Sequence, residues 1–320
     1  RHGVAELGAA LAVLSETEGA PRPVTPLPAI PDMPGEDSVE GWLEWWRAAC
    51  EGNGYLPATY QGTTMRPGSK PILNLRPHRD ITPERQRRVL DAIRKLNGEH
   101  LAQRDFDDEL GARVRSYELA FRMQTAAPEL VDISRESEAT RKLYGIDDKH
   151  TREFGTRCLL ARRMLESGVR FVQLYSGGTT GWDAHKDVLK NHNHYCNATD
   201  KPVAGLLRDL KARGLLEDTL VIWGGEFGRM PMSEQGTGRD HNPWGYSVVM
   251  AGAGVTGGTA YGSTDAIGLR AQDKPVHVHD LHATWLHLLG INHEQLTYLH
   301  NGRRDRLTDV AGTVVHDILG

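Results

Sequence analysis

The apolar positions in the second half of the chain alternate between helical spacing and short continuous runs. Helical spacing predicts helices over 153–167, 199–213 and 279–289, and each is followed by a glycine, which favours the end of a helix. Continuous apolar runs predict buried strands over 169–175, 219–223 and 246–250. Because strands and helices alternate at this spacing, the pattern predicts an α/β fold, a parallel sheet with right-handed crossovers that is sandwiched by helices.

The first half of the chain has a different pattern. Six prolines within 20–36 predict an extended linker or surface strap, and residues 52–80 are rich in glycine and proline, as loops are. Trp42, Trp45 and Trp46 lie at helical spacing, and packing on the body is favoured over stacking on a sugar. Helices are expected at about 83–104 and 107–125. We therefore expect a loop-rich, helical segment over 1–150 that packs on, or is inserted in, an α/β domain over 151–320.

Composition and charge narrow the classes of function. The formal net charge of −4 and the pI near 6.4 argue against a general nucleic-acid-binding surface. No apolar run approaches the roughly 20 residues of a membrane span. Most of the 15 histidines follow position 184, so any metal chemistry is expected in the second half. Three cysteines do not identify the compartment, and a chain that begins at Arg1 without a signal peptide is expected to have lost its start by processing or truncation.

Candidate metal ligands follow the predicted strands. Asp183 and His185 come after the run at 169–175 and a glycine-rich turn, and Glu226 and His241 come after the run at 219–223. Because parallel strands end at one sheet edge, we expect these side chains to converge there. Carboxylate oxygens with imidazole nitrogens suit zinc, manganese or iron better than calcium. An Asp-x-His pair alone is common, so the prediction rests on the whole set.

Two arginines in the same stretch are candidates for holding an oxyanion. The guanidinium groups of Arg229 and Arg239 match sulfate, phosphate or carboxylate oxygens, and would be the catalytic cations of an ester hydrolase. Structural alternatives remain open. Glu226 could be a buried partner of Arg229, His241 could cap the turn that follows it, and Asp240 could pair with either arginine.

A histidine-rich segment begins the helix predicted over 279–289. His277, His279 and Asp280 could support a metal site as outer carboxylate and imidazole groups. Helix capping is the favoured reading, since an acidic residue in the first turn stabilises a helix.

Several segments together resemble a known family. They are 116–124, 182–185, 219–229, 238–243, 251–255, 301–303 and 306–309. This set resembles an uncharacterised bacterial sulfatase-like family of the alkaline phosphatase superfamily, often labelled only as a domain of unknown function.

The resemblance implies an alkaline-phosphatase-like parallel sheet that carries two divalent metals at its strand ends, and a periplasmic or secreted location. It places Asp183, His185 and His241 in one metal site. Glu226 stands where an aspartate of the second site would be, and Phe227 stands where its histidine would be but cannot ligate. The acidic ligand and the nucleophile of the N-terminal strand have no counterpart, so the chain is expected to be an N-terminally incomplete member.

These observations predict a metal-dependent hydrolase of sulfate or phosphate esters, acting on a small-molecule or carbohydrate substrate. The cofactor is expected to be zinc or another divalent transition metal, one ion rather than two, with the nucleophile unassigned. The alternative is a non-catalytic secreted or surface-associated binding protein that retains the fold.

Overall fold

A computed structural model describes residues 80–101, 128–177, 181–234, 236–300 and 302–320. The proline-rich segment, the tryptophan stripe, the loops over 52–79 and the helix expected at 107–125 lie outside these residues. The chain divides into two compact units, one formed by 1–136, 163–174 and 299–304 and the other by 137–162, 175–298 and 305–320. The domain boundary expected at residue 150 stays a prediction.

Five α-helices cover much of the described chain. They are α1 (Pro83–Leu101), α2 (Glu138–Tyr144), α3 (Arg152–Glu166), α4 (Val188–Ala212) and α5 (Val278–Leu288), with 3-10 turns at Ile133–Arg135 and His316–Ile318. The helices expected at 83–104, 153–167 and 279–289 are therefore present with small shifts at their ends. The fourth begins at Val188 rather than at 199, and it continues through Pro202, whose missing N–H costs one helical hydrogen bond. Burial of the Pro202 ring against the core offsets that loss.

The strands are short and form two-stranded sheets. They are β1 (Val221–Trp223), β2 (Gly228–Arg229), β3 (His241–Asn242), β4 (Val249–Ala251), β5 (Ser263–Thr264), β6 (Ala271–Asp273), β7 (Thr297–His300) and β8 (Arg303–Arg306). The pairs are β1 with β4, β2 with β3, β5 with β6 and β7 with β8, and the first three are antiparallel. The predicted parallel sheet sandwiched by helices, with its alkaline-phosphatase-like form, is therefore wrong, because no extended parallel sheet occurs among the described residues.

The continuous apolar runs predicted a parallel sheet wrongly, because the strands they form are not buried on both faces. Ile222, Trp223 and Val249 are 37%, 42% and 53% exposed, whereas strands of a parallel sheet are covered by helices on both sides. The described residues between β1 and β4 contain no helix that could provide the crossover a parallel pair needs. The segment 169–175 contains no strand either, and its Tyr175 carbonyl accepts a hydrogen bond of 2.6 Å from the Arg157 guanidinium.

A buried carboxylate joins the helices of the second unit. Asp209 on α4 accepts a hydrogen bond of 2.9 Å from the hydroxyl of Tyr144 on α2. It also forms ion pairs with Arg162 on α3 at 3.0 Å and with Arg213 at 2.7 Å. The Arg162 side chain is only 3% exposed, so its charge depends on Asp209 for compensation. Burial and the neighbouring carboxylate together raise the pKa of Tyr144 far above its usual value, which keeps its hydroxyl protonated as a donor.

We expect Asp209→Ala to lower the free energy of unfolding by about 3–5 kcal/mol, because the variant removes a carboxylate that pairs with the buried Arg162 guanidinium and accepts from Tyr144. Urea denaturation followed by circular dichroism measures the loss. Asp147→Ala is the matched control, since its carboxylate pairs with Arg141 at the surface and is 54% exposed, and it should cost less than about 1 kcal/mol. Equal losses in the two variants would contradict a central role for Asp209.

The pKa of His282 on α5 lies below its usual value of 6.5, because burial disfavours the imidazolium and nearby His279 adds repulsion. The unfolded chain therefore binds this proton more readily than the folded chain, and the free energy of unfolding should fall as the pH drops below about 6.5. We expect His282→Gln to show a smaller fall than the parent protein between about pH 7 and pH 5. Denaturation at several pH values measures the difference, and exposed His194→Gln should behave like the parent.

Candidate metal centre

Two loop segments of the second unit are joined through their backbones. The Arg239 N–H donates to the Ala184 carbonyl at 2.9 Å, and the Val188 N–H at the start of α4 donates to the Thr237 carbonyl at 3.1 Å. Strand β3 then pairs with β2, so that His241 lies opposite Arg229. These contacts bring Asp183 and His185, which precede α4, next to His241, more than fifty residues later in the chain.

Gly238 makes this close approach possible. It is buried, and a Cβ atom built on it would overlap the backbone carbonyl of His185. Only glycine leaves room for the two backbones to lie in contact here. The position of the His185 imidazole therefore depends on a residue that carries no side chain.

Three ligand atoms converge between the segments. Asp183 Oδ1 lies 3.1 Å from His185 Nε2 and 2.9 Å from His241 Nε2, and the two imidazole nitrogens are 3.2 Å apart. With metal–ligand distances of about 2.0–2.1 Å, ligand atoms are about 3.0 Å apart in an octahedral site and about 3.3 Å apart in a tetrahedral one. The donor set therefore has the spacing to hold one ion, and among the described residues this is the only such group of three.

The side chains of Asp183, His185 and His241 are 36%, 38% and 45% exposed. A structural zinc site is closed by four protein ligands, whereas a catalytic site keeps a position for water or substrate. Three candidate ligands with partly exposed side chains match the open arrangement of a catalytic site.

Asp240 supports one of the three ligands. Its Oδ1 lies 3.2 Å from His185 Nδ1, and its Oδ2 accepts a hydrogen bond of 3.0 Å from the Glu234 N–H. A carboxylate on Nδ1 holds the proton there and leaves Nε2 free to accept a metal. The sequence had left open a pairing of Asp240 with Arg229 or Arg239. In the structure its carboxylate contacts His185 instead.

The two candidate arginines have different environments. Arg229 Nη1 donates to Asp183 Oδ1 at 2.7 Å, and its guanidinium also contacts the carbonyls of Arg239 and Trp182 at 3.3 Å each. Arg239 Nη1 donates to the Gly238 carbonyl at 2.6 Å. Arg229 is thus part of the ligand cluster, and Arg239 joins it through its backbone.

Local electrostatics keep both acids of the cluster ionised. Burial acts to raise the pKa of Asp183, but hydrogen bonds from His241 and Arg229 outweigh it and lower the pKa below its usual value. The backbone N–H of Glu234 is the main cause of the lowered pKa of Asp240, with a further contribution from His185. Ionised carboxylates are the form that a metal and its histidines require.

Two residues beside His241 complete the surroundings. The Phe227 ring lies 4.3 Å from the His241 ring, centre to centre, and the Arg229 guanidinium lies 5.8 Å above Phe227. Phe227 therefore packs against a candidate ligand rather than acting as one. Glu226 is exposed and is not part of the group of three, so the structure does not bring it together with the other predicted ligands.

The predicted outer residues at the start of α5 form a helix cap. The Nδ1 atom of His277 accepts from the His279 N–H at 3.2 Å, and Asp280 Oδ2 accepts from the His277 N–H at 2.9 Å. This reciprocal arrangement is a capping box. Asp280 Oδ1 also accepts from the Thr313 N–H at 2.7 Å. The side chains of His277 and Asp280 thus form the helix cap that the favoured interpretation of the sequence expected, and His279 contributes only its backbone N–H.

Comparison with protein families adds one match. Residues 33–319 match the model of a family described as "Protein of unknown function (DUF1501)". The chain belongs to the DUF1501 family. The expected membership of a sulfatase-like family within the alkaline phosphatase superfamily is wrong, because no family model of that kind matches. No curated protein and no solved structure matches the chain.

None of the described helices has both the length and the apolar character that crossing a bilayer requires. The periplasmic or secreted location expected from the resemblance stays a prediction.

Sequence reasoning missed the residues that join the two segments. Besides Gly238, these are Thr237, whose hydroxyl accepts from the Asp187 N–H at 3.1 Å, and Asp187 itself, which has a φ of 50°. The only signal in the sequence was a glycine three residues before His241, and its role depends on a distant carbonyl.

We expect Gly238→Ala to destabilise the DUF1501 protein by about 1–3 kcal/mol, because the new methyl group forces the two segments apart. Hydrogen exchange read by mass spectrometry should show faster exchange in peptides covering 184–188 and 237–241. Gly257→Ala is the control, since a Cβ atom there meets nothing within 4 Å. Unchanged exchange in Gly238→Ala would contradict the proposed backbone contact.

Proposed function

We propose that this protein binds one divalent transition metal, zinc or a close relative, through Asp183, His185 and His241, and hydrolyses phosphate or sulfate esters there. One observation carries the proposal. The Arg229 guanidinium contacts the same Asp183 oxygen on which both imidazoles converge, and the side chains of the three candidate ligands are partly exposed. A cationic fork beside an open metal position suits a tetrahedral oxyanion.

Different residues around the proposed metal position have different roles in such a reaction. When bound, the metal supplies Lewis-acid polarisation of an ester oxygen. Asp240 orients His185 by holding its Nδ1 proton, and Arg229 binds the remaining oxyanion charge while it stays near Asp183. Arg239 provides a second cation, and no carboxylate of the described residues pairs with it.

One observation supports a second function, anion binding without turnover. Among the described residues only one group could hold a metal ion, and Glu226 is not part of it. A single ion with nearby arginines also suits a protein that binds an anion without turning it over. The measurement of turnover decides between the two functions.

We expect the purified protein, stripped with chelator and reloaded with zinc, manganese or iron(II), to retain about one metal per chain. Asp183→Ala, His185→Ala and His241→Ala should each lose it, as measured by elemental analysis after gel filtration. His194→Ala is the matched control, because this exposed histidine lies outside the cluster, and it should retain the metal. Failure of the parent protein to bind any of the three metals would rule out the proposed centre.

Hydrolysis of p-nitrophenyl phosphate and p-nitrophenyl sulfate then tests the chemistry. We expect Arg229→Ala to lower kcat/KM by about 100-fold, because a preorganised donor to the oxyanion is lost, while Arg229→Lys should recover part of the activity. Metal binding without turnover of either ester would favour the binding function. Equal activity in Arg229→Ala and the parent would contradict the role given to this arginine.

A further inference from the structure

A groove of about 690 Å³ lies between α2 and α4, outside the metal centre. Its walls are rigidly joined, because a Cβ atom on Gly205 would lie 2.7 Å from the Leu143 carbonyl, so the two helices are in backbone contact. The hydrogen bond between Tyr144 and Asp209 fixes the same pair of helices from inside. The groove therefore exists before any ligand binds.

Three cations surround this groove. Lys142 comes from α2, and Lys201 and Arg208 come from α4. All three are exposed, and none forms an ion pair with an acidic side chain of the described residues. Neighbouring arginines on the same helices do have partners, as Arg141 has with Asp147 at 2.5 Å. The groove thus concentrates positive charge that the fold does not neutralise.

The remaining surface of the groove is mostly small and apolar. Ala139, Leu143, Ala204 and Gly205 contribute it, and Asp200 is the one carboxylate. An apolar strip can contact the flat face of a ring, while Asp200 can accept a hydrogen bond from a hydroxyl or amino group.

We propose that this groove binds a small organic polyanion, with two or more negative charges attached to a flat ring, as in a nucleoside diphosphate. Its volume lies within the range of about 300–1,000 Å³ that is usual for small-ligand sites. A protein partner would cover roughly 20–30 residues a side, far more than the eight that line the groove. The proposal is independent of the metal centre.

The test uses the full chain in the presence of chelator, so that a metal cannot hold phosphate. Isothermal titration compares ADP with pyrophosphate and adenosine. We expect ADP to bind most tightly, pyrophosphate more weakly and adenosine not measurably, and we expect added salt to weaken ADP binding. Absence of ADP binding at about 1 mM, or adenosine binding as tightly as ADP, would overturn the proposal.

A matched pair of variants locates the site. The combination of Lys142→Gln, Lys201→Gln and Arg208→Gln should weaken ADP binding at least about tenfold, because charge-assisted contacts are lost. The same loss of charge at exposed residues that do not line the groove, through Lys149→Gln, Lys186→Gln and Lys190→Gln, should change it less than about twofold. Circular dichroism checks that both proteins are folded. An equal loss in the two variants would show screening by overall charge and would overturn the proposed site.

Chemical protection gives a readout that needs no variant. ADP should slow the acetylation of Lys142 and Lys201, as measured by mass spectrometry, and leave Lys149 and Lys190 unchanged. Protection of all four lysines, or of none, would contradict binding in the groove.

Discussion

The Asp209 carboxylate connects three helices of the second unit from within. It accepts a hydrogen bond from the Tyr144 hydroxyl and forms an ion pair with the buried Arg162 guanidinium, while Arg213 pairs with its other oxygen. A buried charge of this kind is tolerated only when every partner is in place, so the helices can pack in one arrangement. Because α2 and α4 are two of these helices, the same contact fixes the pair of helices that line the groove.

The candidate metal centre depends on a second constraint, the backbone contact between the loop before α4 and the segment that leads into β3. Hydrogen bonds from Arg239 to Ala184 and from Val188 to Thr237 hold the ligands together without using their side chains. The carboxylate and imidazoles are then free to face solvent, where Arg229 balances the acid. A preorganised cluster of this kind lowers the cost of binding an ion, because the ligand side chains are already ordered.

Part of the fold and of the site could be predicted from the chain. Helical periodicity located α1, α3 and α5 closely, because each depends on apolar spacing and end residues that act locally. Residue types and order selected Asp183, His185, Glu226 and His241, and the family resemblance grouped the three without Glu226. The structure brings those three together. The reason given for their meeting was wrong, however, since the strands form antiparallel pairs and no parallel sheet edge gathers them among the described residues.

The sequence by itself determined helices α1, α3 and α5, the absence of a strong basic character and the residue types able to bind a metal, because these depend on local spacing and on charge. Only the tertiary structure decided how the strands pair and which side chain each carboxylate contacts. A short apolar run is compatible with either strand direction until its covering elements are known, as β1 and β4 show. Likewise, the sequence was compatible with a pairing of Asp240 with either arginine. The tertiary structure places His185 Nδ1 3.2 Å from Asp240 Oδ1, so the carboxylate contacts the histidine.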